Sequence, residues 1–234
     1  MDPLVKVVAF DVDDTLYPEE QFVRGGMAAA GEALDGIVGR RLDAARVFLE
    51  VLAAEGPFQV FDSGLRRLGV DGGPDVVRAM VRAYREHLPC LAPHAGVVEL
   101  LDGLLGAGVV LAAITDGPPP VQRSKWAALG LGDRFSHVIF AQDVDGASHP
   151  KPSPVPFRRL EALTGCQGPA VVYVGDNPAR DFPPADACGW RTVRVKHPGA
   201  FHAHDPDPKE RDRPVAVTAG ELASILSAWT RPSM

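Results

Sequence analysis

Five short runs, β-branched or apolar, punctuate the chain at Val5–Phe10, Val109–Thr115, His137–Phe140, Ala170–Val174 and Arg191–Val195. Each has the length of a strand and ends in a polar or glycine-rich turn. Runs that are apolar throughout, rather than alternating, fit strands covered on both faces, as in a parallel sheet. Helical patterns lie between them. Val97, Leu100, Leu101, Leu104 and Leu105 share one face of a helix over 96–108, and a second helix over 120–129 is closed by Gly130. A third opens at Ser153 with Pro154 just inside and runs to Thr164, and a fourth covers 219–229. This alternation predicts an α/β fold, a Rossmann-like doubly wound parallel sheet.

One stretch breaks the alternation. From Tyr17 to Pro93 the apolar residues recur only at helical spacing, as in Val23, Met27, Ala30, Leu34 and Val38, and again in Val76, Val77, Met80, Val81 and Tyr84. So much helix between the first and second strands exceeds a simple crossover. It predicts a helical subdomain over 17–95 inserted into a core made of 1–16 and 96–234. The plainer alternative is a longer helical layer packed on the sheet.

Chemistry-bearing residues stand where the strands stop. The first strand runs into Asp11-Val12-Asp13-Asp14-Thr15. In open α/β sheets, ligands bind at the carboxyl ends of strands. A period of two puts Asp11 and Asp13 on one side of an extended strand end. Two carboxylates that close need a cation or a shared proton. Mg²⁺, a hard ion satisfied by one or two carboxylates, meets that need. The second strand ends in Thr115-Asp116-Gly117, a hydroxyl and backbone N–H groups that an anion can use, although such a turn by itself is more often only a turn. After the third strand, prolines bracket Lys151, one of only five lysines. A rigid loop suits a site that needs one fixed point charge, and a solvated lysine is the plainer reading. The fourth strand ends in Gly175-Asp176, with Asp181 five residues on.

These clusters, in this order, resemble the haloacid dehalogenase superfamily of phosphohydrolases. The matching motifs are Asp11-x-Asp13-x-Thr15, Thr115, Lys151-Pro152 and Gly175-Asp176-x-x-x-x-Asp181. The insert falls where that family places its helical cap of the first type. The resemblance implies a Mg²⁺-dependent phosphatase acting on a small soluble phosphomonoester, a nucleotide or a sugar phosphate. Asp11 would be the nucleophile that becomes an aspartyl-phosphate, and Asp13 the general acid and base. Thr115, helped by the Asp116 and Gly117 backbone, would bind the phosphoryl oxygens, and Lys151 would neutralise charge. The metal would sit on the Asp11 carboxylate, the Asp13 carbonyl and Asp176, with Asp181 ligating through water or ordering the shell. Asp13 argues against the related dehalogenases, which lack the second Asp. The absence of any lysine in 17–95 argues against phosphonate hydrolases, which use a cap lysine. A phosphosugar mutase, or a non-catalytic phosphate-binding protein, remains an alternative. Tyr17, Glu20 and Arg24 follow the nucleophile and either face the substrate or hinge the insert.

The remaining features mostly exclude. A net charge of −6 with no basic block gives nucleic acid no electrostatic grip. Three scattered cysteines form neither a zinc motif nor a disulfide framework. The amino terminus lacks the pattern of a signal peptide, and no apolar run is long enough to span a bilayer. The expectation is a cytoplasmic protein, monomer or homodimer, with no membrane partner. His197, His202 and His204 lie in a Pro- and Asp-rich loop, where a second metal site is conceivable and a solvated loop the plainer reading.

Overall fold

The computed structural model describes residues 4–230. Its elements run β1 (Val7–Phe10), α1 (Glu20–Val38), α2 (Ala44–Glu55), α3 (Val60–Leu68), α4 (Pro74–Glu86), α5 (Val97–Gly106), β2 (Val110–Thr115) and α6 (Pro119–Leu129). They continue with β3 (His137–Phe140), α7 (Val155–Thr164), β4 (Val171–Gly175), α8 (Phe182–Ala187), β5 (Arg191–Val195), β6 (Val215–Ala216) and α9 (Ala219–Thr230). All six strands are parallel, in the order β3-β2-β1-β4-β5-β6. This is the doubly wound α/β sheet that the apolar runs predict.

Two elements escape the sequence pattern. The two-residue strand β6 is too short to show a period, and α8 carries Pro183 and Pro184 in its first turn, where their missing N–H groups cost nothing. At β1, Val5 and Lys6 lie outside the ladder. Their N–H groups go to the carbonyls of Trp229 and Ala170.

Every residue of β1 and of β4 is buried, which explains why neither run alternates. Val7, Ala9, Ile114, Val171 and Tyr173 pack with Phe157, Leu160 and Trp190 into one core cluster. Trp190 brings a polar atom into it and satisfies that atom by donating from Nε1 to Glu161 Oε1 at 2.9 Å.

The chain divides into two compact units. Glu20–Leu91 forms one, and the segments on either side form the other. The helical unit has its own core, in which Phe48, Leu34, Val51 and Met80 are wholly buried. Phe48 meets Phe61 edge to face at 5.1 Å. Tyr17, Pro18 and Glu19 at one end and residues 92–95 at the other, which the sequence suggested as part of the insert, belong to the sheet-bearing unit.

The strand order sets the position of the site. From β1 the chain crosses to β2 and β3 on one side, then returns to β4 on the other. The crevice of such a sheet opens at the carboxyl ends of the two strands where the order reverses, here β1 and β4. Phe10 pairs in register with Val174, and the Asp11 N–H donates to the Val174 carbonyl at 2.8 Å. The carboxylates that follow β1 and β4 are therefore neighbours.

Candidate active site

A cleft of about 140 Å³ lies over these strand ends, lined by Asp11, Asp13, Glu19, Asp116, Lys151, Asp176, Asn177, Arg180, Asp181 and His202. Every one of these residues belongs to the sheet-bearing unit.

Lys151 is at its centre. Its buried Nζ donates to Asp11 Oδ1 at 2.5 Å, to Asp181 Oδ1 at 2.6 Å and to the Tyr173 hydroxyl at 3.2 Å. Burial alone would lower its pKa, but Asp11 and Asp181 outweigh burial and hold it well above the ordinary lysine range. The ammonium is thus a fixed charge and not a solvated one, although the prolines around it could only hint at this. Asp181 is completely buried, and its second oxygen accepts the Asn177 N–H at 3.0 Å. Gly175 makes room for it, since a Cβ there would stand 2.4 Å from Asp181 Oδ2.

Asp11, Asp176 and Asp181 converge, with ligand oxygens all within 4.8 Å of one another. Burial first, then Asp11 and Asp181, pushes the Asp176 carboxyl far up, to about 10. Burial likewise raises Asp11, against the pull of Lys151. One oxygen of Asp176 is buried without a hydrogen-bond partner. Three buried carboxyl groups facing one ammonium can all ionise only against further positive charge, which a divalent cation would supply in place of the protons they otherwise hold. Hard oxygen ligands, an unpartnered carboxylate oxygen and that need for positive charge together suit an ion such as Mg²⁺.

The partners of Asp13 differ from those the period-two argument assigned to it. β1 stops at Phe10 and the turn begins only at Asp14, so Asp11 and Asp13 both line the cleft, but the Asp13 carboxylate has its own set of donors. Its Oδ1 accepts the Tyr17 hydroxyl at 2.5 Å and Lys125 Nζ at 2.8 Å, and its Oδ2 accepts Gln122 Nε2 at 3.0 Å. The carboxylates that share a locus with Asp11 come instead from the segment after β4. Asp14, held at a positive φ that aspartate tolerates, accepts the backbone N–H groups of Glu19 and Phe201 and so ties two loops together.

Thr115 is buried at the end of β2, and its hydroxyl donates to Gln122 Oε1 at 3.0 Å. The Asp116 carboxylate accepts the Gly117 N–H, Gln142 Nε2 and a guanidinium N–H of Arg180. The Gly117 amide, expected to face an anion, is thus engaged by the neighbouring side chain. Arg180 also donates to the Lys151 carbonyl at 3.1 and 3.2 Å, which fixes the loop carrying the lysine.

Several other expectations shift. Tyr17 is wholly buried, with its hydroxyl on Asp13 and not in the cleft. Glu20 and Arg24 pair with each other on the exposed surface of α1. The three loop histidines do not converge. His197 is buried and stacks on His94 with ring centroids 3.7 Å apart, His202 bonds Asp205 at 2.7 Å, and His204 is exposed. Sequence reasoning passed over Glu19, Tyr173 and Arg180 as site residues. It likewise passed over Gln122 and Lys125. The available signal was two polar residues three apart on the otherwise apolar face of α6 that also holds Val121 and Leu129.

The profile of the haloacid dehalogenase-like hydrolases matches residues 5–189. The chain belongs to this family. Among relatives of this hydrolase, the glyceraldehyde 3-phosphate phosphatase of Methanopyrus kandleri is 33% identical over 87% of this chain and 88% of its own. The phosphoserine phosphatase of Thermus thermophilus is 32% identical over 78% of this chain and 71% of its own. Among solved structures, a HAD phosphatase of Thermococcus onnurineus superposes with a TM-score of 0.63 at 24% identity, covering 97% of this hydrolase and all of that chain. A magnesium-bound protein of Bacillus subtilis superposes with a TM-score of 0.67 at 18% identity, over 95% of this chain and 99% of its own. Both structural likenesses speak to the fold. Among the described residues no helix of the hydrolase is long and apolar enough to cross a membrane.

Proposed function

We propose that this hydrolase is a phosphatase of small phosphomonoesters that works through an aspartyl-phosphate on Asp11. The observation that carries the reading is the Asp11–Lys151–Asp181 cluster at the strand switch point, with Asp176 beside it. Two relatives that cover most of the chain and carry the names of phosphatases acting on small phosphorylated metabolites support it.

In this reading an Asp11 carboxylate oxygen attacks phosphorus and the ester oxygen departs with its electron pair. Asp13 delivers a proton to that oxygen, then takes one from the water that splits the acyl phosphate and returns the Asp11 carboxylate. Lys151 holds its charge beside Asp11, where negative charge accumulates on the transferring group. Thr115, at the mouth of the β2 turn, can turn its hydroxyl from Gln122 to a phosphoryl oxygen. Mg²⁺ would be held by Asp11 and Asp176 with the Asp13 carbonyl, and by Asp181 directly or through the shell. Bound there, it would supply positive charge opposite the phosphoryl oxygens. The substrate class is a small sugar phosphate or a similar phosphorylated metabolite, nucleotides included.

The test is phosphate release from a panel of phosphometabolites that includes glyceraldehyde 3-phosphate, phosphoserine and nucleoside monophosphates. Each is run with Mg²⁺ and with chelator, beside Asp11→Asn. Turnover that needs Mg²⁺ and vanishes in the variant is expected. Turnover that survives Asp11→Asn would remove the covalent mechanism.

A further inference from the structure

Two polar residues, Gln122 and Lys125, lie on the buried face of α6, and the reading above gives them no role. Gln122 is 4% exposed and Lys125 3%. Burying an ammonium and a primary amide is costly unless each donor finds an acceptor. Here the acceptors surround one carboxylate. Lys125 Nζ donates to Asp13 Oδ1 at 2.8 Å and to Glu19 Oε1 at 3.0 Å. Burial alone would lower the lysine, but Asp13 and Glu19 overcome it and keep the ammonium charged.

Gln122 Nε2 donates to Asp13 Oδ2 at 3.0 Å and to the Asp116 carbonyl at 2.9 Å, while its Oε1 accepts the Thr115 hydroxyl. Turning this amide over would set its oxygen against a carboxylate and a carbonyl, so one orientation is fixed. Gly117 leaves the space, since a Cβ there would stand 2.7 Å from Gln122 Nε2. The Tyr17 hydroxyl closes the set on Asp13 Oδ1. Both oxygens of Asp13 are thus gripped, by donors from two separate segments of the chain.

We propose that Lys125 and Gln122, supported by Glu19 and Tyr17, are positioning residues that aim the Asp13 carboxyl at the leaving-group oxygen. The inference rests on the phosphatase reading and adds to it a clamp that no part of the phosphoryl site requires. Its signature is dependence on the leaving group. An alkoxide needs a proton as it departs, whereas a nitrophenolate does not. General acid catalysis contributes about 10²–10⁴-fold, and a misplacement of about 1 Å can cost about 10²-fold.

The experiment compares kcat/KM, which reports the step that expels the leaving group, for glyceraldehyde 3-phosphate and p-nitrophenyl phosphate. Wild type, Lys125→Met, Lys125→Arg, the milder Tyr17→Phe and Asp13→Asn are measured with Mg²⁺. Lys125→Met should lose about a hundredfold on the alkyl ester and far less on the aryl ester. Tyr17→Phe should show the same bias with a smaller loss, and Lys125→Arg should recover part of the rate. In an Asp13→Asn background, Lys125→Met should cost nothing further, as expected of two groups that act as one. Equal losses on both esters in Lys125→Met and Tyr17→Phe, or additive losses with Asp13→Asn, would overturn the clamp. The alkyl ester is glyceraldehyde 3-phosphate or, if that is not turned over, the best alkyl ester of the panel above, and a wild type that releases phosphate from none of them would instead bring down the phosphatase reading on which the clamp depends.

Discussion

Replacing Asp176 with Asn should make the metal-free protein more stable and the enzyme inactive. The Asp176 carboxylate lies within 4.8 Å of ligand oxygens on Asp11 and Asp181. Burial and these neighbours push its carboxyl up to about 10, so without metal at neutral pH the folded protein must hold on Asp176 a proton that the unfolded chain does not, which costs stability. Lys151 offsets part of this, because it contacts Asp11 and Asp181 directly. Asp176 has one oxygen without a partner, and an unsatisfied buried polar group costs about 1–3 kcal/mol. Asn keeps the shape, needs no proton taken up on folding and brings an N–H₂ that can donate to a neighbouring carboxylate. The net expectation is a gain of about 1–3 kcal/mol without metal, or about 2–10 °C in melting temperature for a chain of this size. The assay is urea and thermal unfolding of both proteins in chelator and in Mg²⁺. Mg²⁺ should stabilise the wild type, by about 2.7 kcal/mol at a hundred times its dissociation constant, and should scarcely move the variant. The order of stabilities would then approach equality or reverse. An Asp176→Asn protein that is less stable in chelator, or that gains as much from Mg²⁺ as the wild type, would refute the account of a charge-frustrated triad waiting for a cation.

Other consequences can be checked separately. Gly175→Ala would drive a methyl group to 2.4 Å from Asp181 Oδ2, so Asp181 must withdraw from Lys151. A loss of about 1–3 kcal/mol and a weaker Mg²⁺ response are expected in the same unfolding assay, and wild-type values for both would show that the loop yields freely. His94, desolvated and facing His197, has its pKa lowered to about 4 from 6.5, and burial lowers His197 as well, with Asp14 opposing. The unfolded chain then binds more protons between those two values, so stability should be full above about pH 6.5 and fall as the pH drops toward 4. His94→Phe keeps an aromatic ring to stack on His197 but does not titrate, so its stability should fall less steeply across that window. An unchanged slope would acquit this histidine.

The positions of β1 to β5 were legible because β1, β2 and β4 are buried parallel strands written as nearly unbroken apolar runs and β3 and β5 are short β-branched or apolar segments closed by turns, and so was the helical character of 20–91. Asp11, Lys151, Asp176 and Asp181 were legible as candidates because each lies in the turn or loop that follows a strand. The partners of those groups were not. Period-two reasoning put Asp11 and Asp13 on one side, and both line the cleft, but it could not show that Lys151 holds one and Lys125 the other. Tyr17 looked like a substrate contact because it follows the nucleophile, but the turn folds it back onto Asp13. Lys125 lies on a short helix, and nothing local distinguishes a solvated ammonium from one that is 3% exposed.

What the chain settles by itself is local: which segments are strands, which are helices, and that acidic residues stand where strands stop. Those properties depend on side chains two to four residues apart, within reach of one element. Tertiary structure decided the rest. It set Lys151 against Asp11 across 140 positions of sequence and Lys125 against Asp13 across 112. It also separated the two carboxylates of the first loop into a cation-seeking triad and a clamped acid. Such pairings follow from the order of strands in the sheet and from which groups lose their water. Both are properties of the packed whole and leave no periodic trace along the chain.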